Sequence, residues 1–258
     1  MTETRRLYYE DVYKKEFTAT VVECRERKKG YAVILDKSAF YPEGGGQPSD
    51  VGTLGDAKVT EVHEKDGELL HYTDKALEVG VKVEGKIDWA RRFDLMQQHS
   101  GEHMVSGIIH AKYGYDNVGF HMGGDVITVD LNGMLDEAQL AEIEQEVNER
   151  VWEDKEVQIT YPTAEELQAL DYRSKKELTG QVRIVTFPGV DVCACCGTHV
   201  THTGEIGMVQ LLSVVKFRDG IRMEMICGKR VLDYLNMVNE QNHQISVKLS
   251  AKMEKTAD

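Results

Sequence analysis

The hydrophobic pattern of the chain changes its period near residue 88, and this change limits the possible folds more than any other feature. Before it, apolar and polar residues alternate in "FTATVVECR" and "YAVILDK", and "KVTEVHEKDGELLHYT" has the pattern of a hairpin that turns at Asp66-Gly67. Alternation is typical of half-buried strands, and no helical period occurs in this part of the sequence. Residues 1–88 are therefore predicted to form a small β-barrel.

A stretch rich in glycine and proline, "YPEGGGQPSDVG" at 41–52, lies between these strand patterns. Glycine and proline at such density interrupt regular secondary structure. The sequence therefore predicts a loop at 41–52, inserted within the β structure.

After residue 88 the apolar residues recur at helical spacing. The stretch "RRFDLMQQHSGEHMVSGIIHAKYG" predicts a helix that stops at Gly114, and Asp136 is the expected N-cap of a second, amphipathic helix. Strand patterns separate the helices, Thr163 with Glu166 forms a capping box, and a strong hairpin turns at Asp219-Gly220. The predicted fold class is α+β, with a barrel domain over 1–88, an α+β domain over 89–228 and a long polar C-terminal helix over 229–258. That helix is expected to project from the core or to pair with a partner, including a second copy of the chain.

Charge and hydropathy exclude several classes of protein. The 258 residues carry a formal net charge of −13, which argues against binding nucleic acid through bulk electrostatics, so we expect no DNA partner. Apolar runs are too short to span a bilayer, and the first residues lack the apolar segment of a secretory signal. We therefore expect a cytoplasmic protein with no membrane partner, in which clustered cysteines serve as metal ligands or catalytic groups before disulfides.

The densest group of soft ligands lies in "DVCACCGTHV" at 191–200, where Cys193, Cys195, Cys196 and His199 fall close together. A redox dithiol needs Cys-x-x-Cys near a βαβ unit, whereas this segment offers Cys-x-Cys in an α+β context. Cys195 precedes His199 by four residues across Gly197, which is enough chain to bring both side chains onto one ion. Cys196 would then point away and behave as a small hydrophobic residue, and Cys193 is the reserve ligand.

A second pair of ligands is predicted on the first helix, where His99 and His103 are four residues apart in "HSGEH". Imidazoles at this spacing project from one helical face and can reach one tetrahedral ion. With the Cys/His turn they supply three nitrogen ligands and one sulfur ligand, a set that suits Zn²⁺ in a reducing compartment. The sequence therefore predicts one Zn²⁺ per chain, bound by His99, His103, Cys195 and His199.

The segment "HSGEH" also matches the His-x-x-Glu-His pattern of inverzincin metallopeptidases, in which Glu102 would be the general base. That interpretation needs a carboxylate as a third ligand further along the chain. It also leaves the Cys/His cluster without a role, so it is the second choice.

Three motifs in order, "YPEGGGQPSDVGTL", "QQHSGEHMVSGI" and "CCGTHVTHTGEIG", resemble the AlaX family, free-standing relatives of the alanyl-tRNA synthetase editing domain. The similarity covers nearly the whole chain, and the family's Cys-Gly-Gly-Thr-His appears here as Cys195-Cys196-Gly197-Thr198-His199. The resemblance implies a barrel with a glycine-rich motif, a zinc-binding editing domain over 89–228, and hydrolysis of tRNA(Ala) mischarged with serine or, to a lesser degree, glycine. A non-catalytic module that binds tRNA or a synthetase, with a structural zinc, is a further alternative.

The resemblance also implies where the substrate binds. The segment "VGFHMGGDVITVDL" is expected to line the amino-acid site, with His121 and Thr128 as candidates for recognising a serine hydroxyl. Catalysis is assigned to His99, Glu102, His103 and Thr128. Other expected contacts to the substrate or to phosphate are Gly44, Gly45, Gly46, Gln47, Arg91, Arg92, Thr203, Glu205, Arg222 and Lys229.

Overall fold

The structure is a computed structural model that describes residues 3–174 and 180–256. The first part of the chain contains a closed six-stranded barrel with strand order β2-β3-β7-β6-β5-β8, which confirms the predicted barrel. The short strands β1 and β4 pair in parallel outside it. The elements of this part are β1 (Arg5–Arg6), α1 (Leu7–Glu10), β2 (Glu16–Glu26), β3 (Tyr31–Leu35), β4 (Lys37–Ser38), β5 (Gly52–Leu54), β6 (Ala57–Lys65), β7 (Glu68–Thr73) and β8 (Lys82–Ile87).

The barrel follows from strand alternation and turn chemistry. Along β2 the side chains of Phe17, Ala19 and Val21 are buried, and the residues between them are more exposed. Asp66 and Gly67 join β6 to β7 with φ angles of 53° and 80°, the left-handed pair that a tight two-residue hairpin needs. The predicted turn is therefore confirmed.

The second part of the chain combines helices with two antiparallel sheets. One sheet has the order β14-β15-β10-β9 and the other the order β11-β12-β13. The elements are α2 (Trp89–Tyr113), β9 (Asn117–Met122), β10 (Ile127–Leu131), α3 (Glu137–Trp152), β11 (Gln158–Thr160), α4 (Ala164–Ala169), β12 (Ile184–Phe187), β13 (Asp191–Ala194), β14 (Val209–Phe217), β15 (Gly220–Cys227) and α5 (Lys229–Leu249), with 3₁₀ helices at Thr203–Ile206 and Met253–Lys255. The fold class is α+β, as predicted.

Helix α2 is the central element, because it packs against β9, β13, β15 and α3. The side chain of Asp88 accepts a hydrogen bond from the Arg91 amide at its start, and Gly114, with φ 67°, ends it at the predicted residue. Every residue from Leu95 to Ile109 is buried. Polar side chains in this stretch therefore lie inside the protein, where they need partners.

Two details near the C-terminal end differ from the prediction. The second hairpin turns at Arg218 and Asp219, one residue earlier than expected, because Gly220 already pairs with Phe217. Position 220 requires glycine because its backbone lies close to that of Leu131: a Cβ there would be 1.9 Å from the Leu131 carbonyl oxygen. Helix α5 does not run to the chain end, but stops at Leu249 before a left-handed Ser250.

Helix α5 projects from the core, as its composition suggested. Val231 in its first turn is buried. Its other large apolar side chains are more exposed, for example Leu232 at 58% and Ile245 at 46%. Among the residues that the structure describes, no helix combines the length of a membrane span with its hydropathy.

Candidate metal and substrate site

The four residues predicted as ligands come together in the protein interior. One ligand atom from each of His99, His103, Cys195 and His199 lies within 4.8 Å of all the others. The Sγ atom of Cys195 is 3.5 Å from His99 Nε2 and 3.4 Å from His199 Nε2. The three histidines are at most 3% exposed. This cluster can hold a metal ion.

Each histidine presents Nε2 to the cluster because its Nδ1 has another partner. His99 Nδ1 donates to an amide oxygen, His103 Nδ1 donates to a carboxylate, and His199 Nδ1 lies beside a hydroxyl. The partners are Gln47 Oε1 at 2.9 Å, Asp191 Oδ2 at 2.8 Å and Ser100 Oγ at 3.4 Å. Such outer contacts fix the tautomer and ring orientation of metal-binding histidines.

Asp191 connects His103 to a cation. Its two carboxylate oxygens accept hydrogen bonds from Arg173 Nε at 2.8 Å and Nη2 at 2.9 Å, in addition to the bond from His103. Asp191 directly precedes the cysteine cluster, but no local pattern identifies it as a site residue, because its partners lie 88 and 18 residues away. It orients His103 and is itself held by Arg173.

Gln47 links the glycine-rich loop to both arms of the cluster. Its side chain is fully buried; Oε1 accepts from His99 Nδ1 and from the Thr198 amide, and Nε2 donates to Thr198 Oγ1 at 2.7 Å. Gln47 was predicted to contact substrate, but its hydrogen bonds place it as a support for the cluster. The sequence could not distinguish these two roles, since both need a polar residue next to the glycines.

We expect Gln47→Ala to weaken metal binding by about 10- to 100-fold, because His99 loses the partner that sets its tautomer. The measurement is a competition titration of the zinc-loaded protein with a chelator. Gln145→Ala is the matched control, since Gln145 is exposed and bonds only to Glu149 among the contacts described. Equal zinc affinity in the wild type and Gln47→Ala would contradict this role.

The electrostatics of Cys195 and His199 favour the forms that bind a metal, whereas His103 differs: burial lowers its pKa, but the hydrogen bonds with Asp191 and the cysteines outweigh burial and hold that pKa well above its usual value. Burial by itself raises the pKa of the Cys195 thiol, but the adjacent His99 and His199 outweigh it and hold that pKa well below its usual value. Burial lowers the pKa of His199 to about 3. A thiolate and a neutral imidazole are the ligating species of cysteine and histidine.

The turn between Cys195 and His199 lies directly against α2. A Cβ at Gly197 would be 2.1 Å from His99 Cε1, so only glycine allows this approach. Cys196 points away from the cluster, as expected, and its Sγ lies 3.8 Å from Tyr41 Oη beside the glycine-rich loop. Cys193, the reserve ligand, belongs to a different group with His103 and Asp191.

A cavity of about 880 Å³ opens onto the cluster. Three of the four ligands, His99, His103 and Cys195, line it, together with Glu102 and the edge of β9 at Phe120. A ligand in this cavity would therefore meet the cluster directly.

The glycine-rich loop forms one wall of the cavity. The backbones of Gly44 and Gln47 exchange two hydrogen bonds, at 3.1 and 3.0 Å, around Gly45 and Gly46. Both central residues have positive φ angles, of 62° and 83°. A Cβ at Gly46 would be 2.6 Å from Phe120 Cδ1. Glycine is thus required at both positions, and the bare backbone faces the cavity.

His121 and Thr128 do not reach the cavity. They are opposite each other on β9 and β10, and their neighbour Phe120 packs 5.4 Å from the His99 ring. Because successive side chains of a strand point to opposite faces, His121 and Thr128 lie on the face away from α2. Contrary to the expectation from the sequence, the segment contributes Val118, Gly119 and Phe120 to the cavity lining instead.

Thr203, Glu205 and Arg222 also have structural partners outside the cavity lining. Thr203 is buried and donates to the Val151 carbonyl at the end of α3. Glu205 accepts hydrogen bonds from Tyr13 Oη and from the Thr201 amide. Arg222 forms a two-bond ion pair with Asp130 on the same sheet face as Thr128. These three residues therefore do not contact a ligand held in the cavity, and their contact with phosphate outside it stays a prediction.

The expected phosphate contacts differ in how accessible they are. Arg92 is fully buried and pairs with Asp50, so it is not available to a phosphate, contrary to the expectation. Arg91 is half-buried and donates to the Ser49 carbonyl at 3.3 Å. Lys229 is exposed at the start of α5, where it pairs with Asp233.

Comparison with known proteins agrees with this arrangement. The family model described as "Threonyl and Alanyl tRNA synthetase second additional domain" matches residues 182–222, and the model "tRNA synthetases class II (A)" matches residues 2–91. The alanyl-tRNA editing protein AlaX-L of Pyrococcus horikoshii is 35% identical over 90% of this chain and 60% of its own length. The mouse alanyl-tRNA editing protein Aarsd1 is 32% identical over 87% of this chain and 59% of its own.

An alanine–tRNA ligase of Methanobrevibacter smithii is 36% identical over 92% of this chain, which corresponds to 28% of the ligase. The chain thus spans about three fifths of the length of the editing proteins and a smaller share of the ligase. The chain is therefore homologous, over most of its own length, to the alanyl-tRNA editing proteins of the AlaX family and to a segment of an alanine–tRNA ligase.

Proposed function

We propose that this chain hydrolyses the aminoacyl ester of tRNA(Ala) mischarged with serine or, to a lesser degree, glycine, and that it does so with a zinc ion. The observation that carries the proposal is the cavity that opens directly onto His99, His103 and Cys195. The relatives named as alanyl-tRNA editing proteins support the substrate class.

The donor set fits zinc. Three imidazole nitrogens and one thiolate, with oriented histidines and a buried setting, match the ligands that zinc prefers. With His99, His103, Cys195 and His199 all bound, the ion would have the closed coordination of a structural site. It would polarise an ester carbonyl or a water molecule as a Lewis acid only by taking that oxygen as a fifth ligand or in place of one protein ligand, and otherwise it would position the substrate. Calcium and magnesium prefer oxygen ligands and fit this set poorly.

The residues around the cluster would position the substrate. Gly45 and Gly46 leave room for the 3′ end of the RNA to approach the loop backbone. Phe120 packs against His99 and excludes water from that side of the cluster. Gln47 and Asp191 hold the two helix ligands in place, so that the cavity geometry is fixed before substrate binds.

The ligands of the cluster do not favour the peptidase alternative. The groups that complete the cluster are Cys195 and His199, whereas that mechanism calls for a carboxylate ligand. Glu102 Oε1 accepts hydrogen bonds from Ser106 Oγ at 2.6 Å and from Asn117 Nδ2, so the carboxylate is tied to its own helix and to β9.

We therefore expect Glu102→Gln to retain hydrolysis of Ser-tRNA(Ala) to within about ten-fold, since removal of a general base costs about 10²- to 10⁴-fold. The glutamine can still accept the bond from Ser106. The measurement is the deacylation rate of the variant and the wild type, with a peptide library as the second substrate. Zinc-dependent peptide cleavage that Glu102→Gln abolishes would favour the peptidase.

The proposed function is tested by zinc removal and return. Protein stripped with a chelator should lose hydrolysis of Ser-tRNA(Ala), and one equivalent of zinc should restore it. Full activity of protein shown by elemental analysis to be free of metal would contradict the proposal, while zinc binding without any deacylation would favour the non-catalytic module.

A further inference from the structure

Arg183 is a cation without a counter-charge on the cavity wall. It forms no ion pair with any residue in the described ranges 3–174 and 180–256, and its buried Nε atom has no hydrogen-bond partner there. The other arginines of the wall are paired, Arg6 with Glu64 at 2.9 Å and Arg173 with Asp191. Because an unpaired half-buried guanidinium is costly, this one is suited to an anionic ligand.

Arg183 is also fixed to the turn that carries the ligands. Its Nη1 atom donates to the Cys195 carbonyl at 2.7 Å and to the Gly197 carbonyl at 3.0 Å. Its guanidinium lies 5.2 Å from the centre of the Tyr9 ring, and Tyr9 Oη donates to the Cys196 carbonyl at 3.0 Å. The Tyr9–Arg183 pair therefore has a set position next to the cluster.

We propose that the Tyr9–Arg183 pair binds the 3′-terminal nucleotide of the tRNA. This inference rests on the proposed function, in which the ester on the terminal ribose lies at the cluster. The terminal base then lies one sugar away from the cluster, and the Tyr9–Arg183 pair, anchored to residues 195–197, is placed next to the cluster to receive it. Bases stack on aromatic rings and on guanidinium planes, and Arg183 also supplies the charge that a phosphate needs.

Tyr161 extends the same surface. It lines the cavity and is 44% exposed, so its ring is available to a ligand in the cavity. A nucleotide on the Tyr9–Arg183 pair would cover part of this ring. Among the described residues, the surface thus combines one cation that has no acidic partner with two aromatic rings, which is the composition of a single-strand nucleotide site rather than of an amino-acid pocket.

The test compares two uncharged RNA hairpins with the acceptor-stem sequence of tRNA(Ala), one ending in CCA and one in CC, labelled at the 5′ end. Fluorescence anisotropy with zinc-loaded protein gives Kd for each. We expect the wild type to bind the CCA hairpin at least about ten-fold more tightly, since one stacked base contributes about 1–3 kcal/mol. Tyr9→Leu and Arg183→Gln should bind both hairpins equally.

The matched control is Arg27→Gln. Arg27 lies 3.8 Å over the Tyr72 ring on the barrel, so it is also an arginine on a tyrosine, but outside the cavity lining. This variant should keep the wild-type preference for CCA. Tyr9→Phe, which keeps the ring and loses the bond to Cys196, should keep it as well.

Zinc content and thermal unfolding of each variant separate a lost subsite from a damaged turn. If Arg183→Gln loses zinc, the hairpin affinities of Tyr9→Leu and Arg183→Lys are used in its place to test the pair. The proposal would be overturned if the wild type showed no preference for the CCA hairpin. It would also be overturned if zinc-loaded variants that lack the Tyr9 ring or the Arg183 guanidinium kept that preference. Because the hairpins carry no amino acid, a CCA preference in a protein that fails to deacylate Ser-tRNA(Ala) would reject only the proposed function.

Discussion

Cys195→Ala is expected to lose nearly all bound zinc and at least about 100-fold of the activity towards Ser-tRNA(Ala). Losing an outer partner of a metal site already costs about 10- to 100-fold, so losing the thiolate itself costs at least the upper end of that range. Two of the neighbouring imidazoles point their Nε2 atoms at this sulfur, at 3.5 and 3.4 Å. Elemental analysis of the purified protein and single-turnover deacylation are the measurements.

Cys196→Ala is the matched control, because the same atom is removed one residue away. Its thiol faces Tyr41 and the glycine-rich loop and takes no part in the cluster. The zinc content of this variant should equal that of the wild type. If Cys196→Ala loses zinc and Cys195→Ala keeps it, the assignment of the sulfur ligand is wrong.

Arg92→Met is expected to lower the free energy of unfolding by about 3–5 kcal/mol, because it leaves the Asp50 carboxylate buried without its cation. Arg92 also donates to the Ala39 carbonyl at 2.7 Å and to the Val12 carbonyl at 3.0 Å. It therefore fastens the start of α2 to three connecting segments of the first part of the chain, at Val12, Ala39 and Asp50. Urea denaturation of the wild type and the variant measures the loss.

Arg91→Met provides the comparison for Arg92→Met. Arg91 is half-buried and has one long hydrogen bond, at 3.3 Å, to the Ser49 carbonyl. Its replacement should change the free energy of unfolding by less than about 1 kcal/mol. Equal effects of the two substitutions would show that the buried ion pair does not stabilise the fold as described.

The elements and each half of the cluster could be predicted because their determinants are local, whereas the meeting of the two halves, 96 residues apart at His99 and Cys195, was predicted from the ligand set that they supply together. Asp88 and Gly114 delimit α2, and Asp66-Gly67 selects the hairpin between β6 and β7. The ligand spacing works in the same way, since His99 and His103 need only a helix to face one ion. In each case a few neighbouring residues fix the geometry.

In the segment "VGFHMGGDVITVDL", local patterns could not predict which side chains face the cavity. Recognising that Phe120, rather than His121, faces the cavity requires the knowledge that β9 is a strand and that α2 covers one side of it. Neither fact is encoded within the segment itself. The choice of His121 and Thr128 was therefore a choice between two faces with no local information.

Contacts between residues that are far apart in the sequence could not be predicted either. Arg91 and Arg92 are adjacent and chemically identical, yet Arg92 is buried by a partner 42 residues away. Tyr9 and Arg183 both bond to the turn that carries the ligands, although Tyr9 is 187 residues away from it in the sequence. The residues of such sites can be identified only once the fold that brings them together is known.

The central claim is that this protein removes the wrong amino acid from tRNA(Ala), and the most direct test is a pair of deacylation rates. Zinc-loaded protein is mixed with Ser-tRNA(Ala) and, separately, with Ala-tRNA(Ala) under single-turnover conditions. A site that bonds the serine hydroxyl leaves polar groups unpaired when alanine binds, so we expect serine to be released at least about 100-fold faster than alanine. Equal rates for the two substrates, or no hydrolysis of Ser-tRNA(Ala), would contradict the claim.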